Sequence, residues 1–300
     1  MKIGFGVPVS GTWATPGNMV AVARRAEELG YASLWTFQRL LHPAGEPLAP
    51  VYRSVQDPVV TLSFLAGVTS RIRLGVAVLN MPFYSPPLLA KQLATLQEVS
   101  RGRLDAGLGL GWMPEEYTAS GVTMAARGRR AVEYLHVLRR LWTEDLVSHK
   151  GEFYDIPPSS QDPKPVPPPP VLLGGTAPAA LRRAGELADG WISSSRADLD
   201  TLPEQIYIVK EAAREAGRDP GELRFVCRGV VRVGAARDGE RTRLTGTPDQ
   251  IRDDIEAVAA TGMTELFLDL NFDPAVGAPD ADPDAAMRRA EEALEAFAPR

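Results

Sequence analysis

A short apolar run that ends in glycines and then enters a helix makes a natural anion site, and Leu173-Gly174-Gly175-Thr176-Ala177-Pro178 has this form. The glycines let a ligand approach the backbone, Thr176 can cap the helix or donate, and unpaired N–H groups at the positive dipole end attract phosphate. The same residues also suit an ordinary strand-to-helix turn with a threonine cap. No lysine lies in the loop, so it is not of the Walker type. Gly107-Leu108-Gly109-Leu110-Gly111-Trp112 is the second unusual stretch. Glycine weakens a strand, so three at alternate positions call for close approach by a ligand or for crowding inside a barrel. They do not spell G-x-G-x-x-G, and no acid about 20 positions on completes a dinucleotide fingerprint.

Other reactive residue types are sparse. Trp35-Thr36-Phe37-Gln38-Arg39 closes a strand and leaves Gln38 and Arg39 at its end. Arg39 offers fork geometry to an anionic or enolate-like oxygen, or else a structural partner to an acid in another loop. Glu115 and Glu116 can supply a proton or simply complement a helix dipole. Trp13, Tyr52 and Trp112 would add apolar walls suited to a flat, conjugated ligand. The three histidines, His42, His136 and His149, are scattered and no H-E-x-x-H occurs, so no metal site is expected. Cys227 lies in an apolar run and reads as an inert core thiol. No G-x-S-x-G elbow is present.

These residues need a scaffold, and the sequence supplies a regular one. Strand-like runs at Lys2–Val9, Ala32–Thr36, Ile72–Leu79, Leu104–Leu110, Val171–Leu173, Gly190–Ser193, Phe225–Val233 and Leu266–Leu270 alternate with helical patterns. Asp57-Pro58, Ser85-Pro86 and Asp282-Pro283 read as helix starts, and Thr247-Pro248-Asp249-Gln250 as a capping box. The buried stripes are expected to include Leu88, Leu89, Leu93, Leu96 and Val99 in one helix and Val132, Leu135, Leu138, Leu141 and Trp142 in another. A new helix is expected to begin near Thr176. Eight strand–helix units in 300 residues is the count for a (β/α)8 TIM barrel. A doubly wound sheet also alternates, but the unusual Gly, Ser, Trp and Pro clusters follow strands, where barrels place their chemistry. The chain is therefore expected to form a single domain, 1–300. Eight of its 26 prolines fall in residues 148–170, an insertion between helix 4 and strand 5 in which Gly151-Glu152-Phe153-Tyr154 looks like a hairpin or lid edge.

Composition narrows the class. With 44% hydrophobic and 24% charged residues the chain is neither disordered nor fibrous, and one cysteine forms no internal disulfide. A net charge of −5 argues against nucleic acid as a partner. No run approaches 18 apolar residues and no signal-peptide core is visible, so no membrane partner is expected and a cytoplasmic location is.

Five blocks in order, AEELGYASLWTFQRLL, SRIRLGVAVLNMPFYSPPLLAKQLATLQEVSRGRLDAGLGLGW, GEFYDIPP, VLLGGTAPAALRRAGELADGWISSS and LTGTPDQIRDDIEAVAATGMTELFLDL, resemble the bacterial luciferase-like monooxygenase superfamily. Within it they are most similar to oxidoreductases that use coenzyme F420, a deazaflavin. The resemblance implies a (β/α)8 barrel that binds cofactor at the C-terminal strand ends and forms a homodimer. It implies a bulge at Gly75–Val78 with a cis peptide between Ala77 and Val78 against one ring face, the ring beside Gly109, Leu110 and Gly111, and the cofactor phosphate on Gly174, Gly175 and Thr176. Relatives often carry an acid and a histidine where this chain has Gln38-Arg39, and some a glutamate in place of Trp112. That departure disfavours a sugar-phosphate alcohol dehydrogenase. It favours hydride transfer to an activated C=C, C=N or C=O bond of a small-molecule substrate, with Arg39 polarising the acceptor and Glu115, Glu116 or water giving the proton. An FMN-dependent monooxygenase, or a carrier or sensor without catalysis, are the alternatives.

Overall fold

The computed structural model describes residues 1–45, 48–236 and 241–299. Eight parallel strands carry the fold: β1 (Lys2–Gly6), β2 (Ser33–Thr36), β3 (Arg73–Val76), β4 (Leu104–Gly109), β5 (Val171–Gly174), β6 (Gly190–Ile192), β7 (Arg224–Val230) and β8 (Glu265–Asp269). They pair in the order β3-β2-β1-β8-β7-β6-β5-β4. Leu74 then faces Leu104 and Gly75 faces Asp105, so β3 also pairs with β4 and the ring closes. This is a (β/α)8 TIM barrel, with no edge strand left in the ring.

Around it run α1 (Pro16–Glu28), α2 (Pro58–Ala66), α3 (Pro86–Val99), α4 (Pro114–Ala119), α5 (Arg127–Thr143), α6 (Pro178–Leu187), α7 (Leu202–Glu215), α8 (Pro248–Ala260), α9 (Pro274–Gly277) and α10 (Pro283–Ala296). Proline opens every one of them except α5, in a turn where a missing N–H costs nothing. Asp57 and Asp282 cap α2 and α10, and Thr247 with Gln250 forms the full capping box of α8. Ser85 makes no side-chain cap. Leu89, Leu93 and Leu96 of α3 are buried at helical spacing, whereas Leu88, Val99 and, on α5, Val132 fall off the inner face and stay exposed.

The barrel interior is filled by Trp35 stacked on Phe267, with ring centroids 5.1 Å apart, together with Leu172, Ile192 and Val226. Gly75 makes room for that indole, since a Cβ there would lie 2.5 Å from its ring. Below the aromatic layer, the fully buried Asp105 takes hydrogen bonds from both Arg73 and Arg224, and Glu265 binds Ser33, Trp35 and Arg224. Five strands meet in this knot, which fixes their register at the foot of the barrel.

Residues 148–170 begin with an antiparallel hairpin, Val147–Lys150 against Asp155–Ser159. Glu133 of α5 accepts N–H bonds from Glu152, Phe153 and Tyr154 and meets the His149 ring at 3.0 Å. The hairpin is thus lashed to α5 of the outer helix layer.

Candidate active site

Strand 3 stops at Val76, and the peptide bond between Ala77 and Val78 is cis. The chain rejoins the ring only at Leu79–Asn80, which pairs with Leu108–Gly109. Space for this bulge comes from glycines on neighbouring strands. A Cβ at Gly107 would fall 1.8 Å from the Val76 carbonyl oxygen, one at Gly109 2.4 Å from Val78 Cγ2, and one at Gly174 3.1 Å from Val78 Cγ1. The alternating glycines of β4 therefore receive the bulge of β3, which is the crowding reading, and Gly109 also faces open space.

That space is a cavity of about 560 Å3 at the C-terminal end of the barrel. It gathers all eight residues expected to hold cofactor: Ala77, Val78, Gly109, Leu110, Gly111, Gly174, Gly175 and Thr176. Gln38, Arg39, Tyr52 and Trp112 line it as well. Trp13 does not; it is wholly buried in the core, so its expected place in the substrate wall is corrected. Glu115 is exposed on the first turn of α4 and also lies outside the cavity lining.

Glu116 is buried and already committed. Its Oε1 accepts the N–H groups of Leu40 and Leu41 at 2.7 and 3.2 Å, and its Oε2 lies 3.0 Å from Arg39 Nη1. Arg39 in turn sits 4.5 Å from the Tyr52 ring centre and 4.7 Å from that of Trp112. The two side chains form an internal pair that shapes the aromatic wall, a structural use that the sequence left open. Gln38 is equally constrained, donating to the Tyr84 hydroxyl at 2.6 Å and accepting from the Asn80 N–H at 2.8 Å. Burial, and the charge of Asp57, push that phenol up to about 12, so it stays protonated.

The turn after β5 has the features of an anion cradle. Thr176 is not its cap: α6 begins at Pro178, Ala177 holds the cap position, and no side chain caps the helix. Trp191 donates its indole N–H to the Gly175 carbonyl at 2.8 Å. In a trans peptide the following N–H points the opposite way, so Thr176 turns its N–H away from that indole. A Cβ at Gly175 would strike Ala180 at 2.6 Å, and its φ of +133° is glycine territory.

Four cavity-lining side chains were not singled out from the sequence: Arg127, Arg183, Arg196 and Arg228. With Arg39 they place five guanidiniums around a cavity whose described lining contains no Asp, Glu, His, Lys or Cys. Arg228, buried between Phe37 and Phe272 at 4.6 Å each, donates to Asp269 at 2.8 Å and to the Ala77 carbonyl at 3.1 Å. It thereby anchors the bulge. A signal existed in β7, where Val226 faces the barrel interior and a charge two residues later must lie at its mouth. Arg127 donates to the Gly111 carbonyl at 3.1 Å, and burial holds the Arg183 guanidinium below its ordinary value. Burial also pushes the Cys227 thiol up to about 12, in keeping with an inert core residue.

A second cavity of similar volume lies outside the barrel, against α5 and the hairpin, but its arginines are spent on Glu144, Glu152 and Asp189. No His, Cys, Asp or Glu cluster able to hold a metal occurs among the described residues, and none of the described helices is long and apolar enough to cross a membrane.

A closed parallel barrel with a glycine-bedded bulge and an arginine-rich cavity free of carboxylates in its described lining defines a TIM-barrel protein with its candidate site at the strand ends. The chain belongs to the luciferase-like monooxygenase family, which residues 3–239 match. An uncharacterized protein of Mycobacterium tuberculosis is 36% identical over 219 residues, spanning 69% of this chain and 75% of its own. An F420-dependent glucose-6-phosphate dehydrogenase of Kineococcus radiotolerans is 29% identical over 228 residues, 74% of this chain and 65% of its own. Among solved structures, an F420-dependent secondary alcohol dehydrogenase in complex with an F420-acetone adduct superimposes with a TM-score of 0.79 at 19% identity, covering 98% of both chains.

Proposed function

We propose that this protein is an F420-dependent oxidoreductase that passes a hydride between the deazaflavin and a small organic substrate, in the direction of substrate reduction. The observation that carries this reading is the single mouth cavity in which the Val78 bulge, the Gly174–Thr176 turn and five arginines converge. The residues fit the group. Val78, bedded on Gly109 and Gly174, offers a flat apolar surface for a ring, and the uncapped turn before α6 offers N–H groups to a phosphate. Arg127 and Arg183 would hold further negative charge of the tail. The chemistry such a cofactor supplies when bound is two-electron hydride transfer. The protein's own part is positioning: Arg228 fixes the Ala77 carbonyl, Gln38 fixes Asn80, and the Arg39–Glu116 pair sets Tyr52 and Trp112 over the opening.

Alcohol oxidation needs a base to take the hydroxyl proton, and the described lining holds no carboxylate or imidazole. In the proposed reductive direction the proton is drawn from solvent or the Tyr52 hydroxyl. Glu115 and Glu116 are not part of this proposal, and Arg39 is a positioning residue in it rather than the group that polarises the acceptor. The test is titration of purified protein with F420 and with FMN, followed by oxidation of reduced F420 by a panel of conjugated enones, imines and aldehydes. Tight F420 binding, weak FMN binding and acceptor-dependent oxidation are expected. Oxygen consumption with reduced FMN and no F420 binding would replace this reading with a flavin monooxygenase, and tight F420 binding without any turnover would make the protein a carrier.

A further inference from the structure

The five cationic side chains at the mouth do not share one task. Arg39 is neutralised by Glu116 and Arg228 by Asp269. Arg127 is tied to the Gly111 carbonyl, and Arg183 projects from α6, the helix that the Gly174–Thr176 turn enters. Arg196 stands apart. It follows β6 at the end of Ser193-Ser194-Ser195 and is the one exposed guanidinium of the five; like Arg127 and Arg183 it has no carboxylate among the described residues within ion-pair distance. Its guanidinium lies 5.1 Å from the ring centre of Trp112.

Trp112 is itself anomalous. Its side chain is 46% exposed, whereas Trp13, Trp35, Trp142 and Trp191 are all buried. The Arg39 and Arg196 guanidiniums both lie over the indole, Tyr52 meets it edge-on, and the exposed remainder lines the cavity. An exposed indole in contact with a guanidinium that has no carboxylate partner is a recognition pair for a flat acid: the ring packs against the exposed part of the indole and the carboxylate takes the fork.

We infer that Arg196 and Trp112 form the substrate subsite and that the substrate is a conjugated carboxylic acid or its anion. This rests on the hydride-transfer reading and names the substrate class of that site. The division of labour is spatial, since the N–H-rich turn before α6 takes the cofactor's phosphate while Arg196, on the neighbouring βα loop, takes the substrate's carboxylate.

The experiment uses F420-loaded protein and three probes: cinnamate, cinnamamide and cinnamyl alcohol. Binding is read by calorimetry and by quenching of the exposed indole, with Trp112→Phe as the optical blank. Cinnamate should bind at least about 10-fold more tightly than the two neutral analogues, the span of a charge-assisted hydrogen bond. Arg196→Gln should abolish that preference, Arg196→Lys should restore part of it, and neither should change the F420 dissociation constant by more than about 2-fold. Equal binding of acid and amide, or no saturable binding of cinnamate, overturns the inference. So does an Arg196→Gln protein that loses F420 as strongly as cinnamate, because the cation would then belong to the cofactor. If F420 fails to bind while cinnamate still binds apoprotein in an Arg196-dependent way, the cofactor reading falls and the acid subsite stands.

Discussion

Substitution of Gly109 by alanine tests the central geometric claim, that β4 is hollowed to receive the bulge of β3. The added Cβ would sit 2.4 Å from Val78 Cγ2. An ordinary carbon–carbon contact is about 3.5–4.0 Å, so Val78 or the strand must retreat by more than about 1 Å. Val78 is part of the bulge, whose Ala77 carbonyl is held by Arg228, and Gly174 supports it from the far side, so little free travel exists. Overpacking of this kind costs about 1–3 kcal/mol. At roughly 2–4 °C per kcal/mol for a large domain, Tm should fall by roughly 2–12 °C while the fold survives. The cofactor face moves with Val78, so F420 affinity, read by the fluorescence of the deazaflavin, should drop by about 10-fold or more. Two further variants calibrate the result. Gly107→Ala collides with a backbone carbonyl at 1.8 Å and should destabilise more, whereas Gly174→Ala meets Val78 at 3.1 Å and should destabilise less. A Gly109→Ala protein with unchanged Tm and unchanged F420 affinity would refute the reasoning, since the glycine would then be a neutral occupant of the strand.

Glu116→Gln removes the charge that balances buried Arg39, at a cost of about 3–5 kcal/mol in chemical denaturation; the pH dependence of kcat should be unchanged, because Glu116 touches no substrate. The Asp105 carboxyl is opposed by burial, but hydrogen bonds and charge from Arg73 and Arg224 outweigh that and hold it below its ordinary value. Its contribution to stability is accordingly complete above its unfolded pKa of about 3.9 and is lost as the pH falls through the lower folded value. Urea unfolding from pH 7 downward should show that loss in the wild type, and Asp105→Asn should abolish that part of the acid sensitivity while lowering stability at neutral pH. Cys227 should resist iodoacetamide in the native protein at pH 8 and react once unfolded, as mass spectrometry would record. Light scattering after size exclusion should give twice the 32.4 kDa chain mass if the homodimer implied by the family resemblance forms.

The barrel was legible because its signals are local. Proline and Asp or Thr at helix starts, glycine at helix ends and short β-branched runs each act within a few residues, and together they count out eight units. The turn at Gly174–Thr176 was legible for the same reason. Arg127, Arg183 and Arg196 were not, because what groups them is the folding of separate βα segments onto one cavity, and no spacing along the chain records that. Arg39 and Glu116 make the point from the other side, for 77 positions separate two groups that neutralise each other at 3.0 Å. Trp13 and Trp112 look alike in sequence, yet one is sealed in the core and the other opens on the cavity. Strand 7 extended too far in the sequence reading because Arg232–Val233 leaves the ring to pair with Thr245–Gly246, a contact between distant segments.

The ionic knot of Asp105, Glu265, Arg73 and Arg224 stands at the pole opposite the mouth cavity. Its staves are cinched like those of a cask hooped at the base, so the loops at the rim are relieved of holding the strands in step. Segments such as Ser193–Arg196, which line the cavity, can then vary in sequence with the cylinder beneath them left as it is.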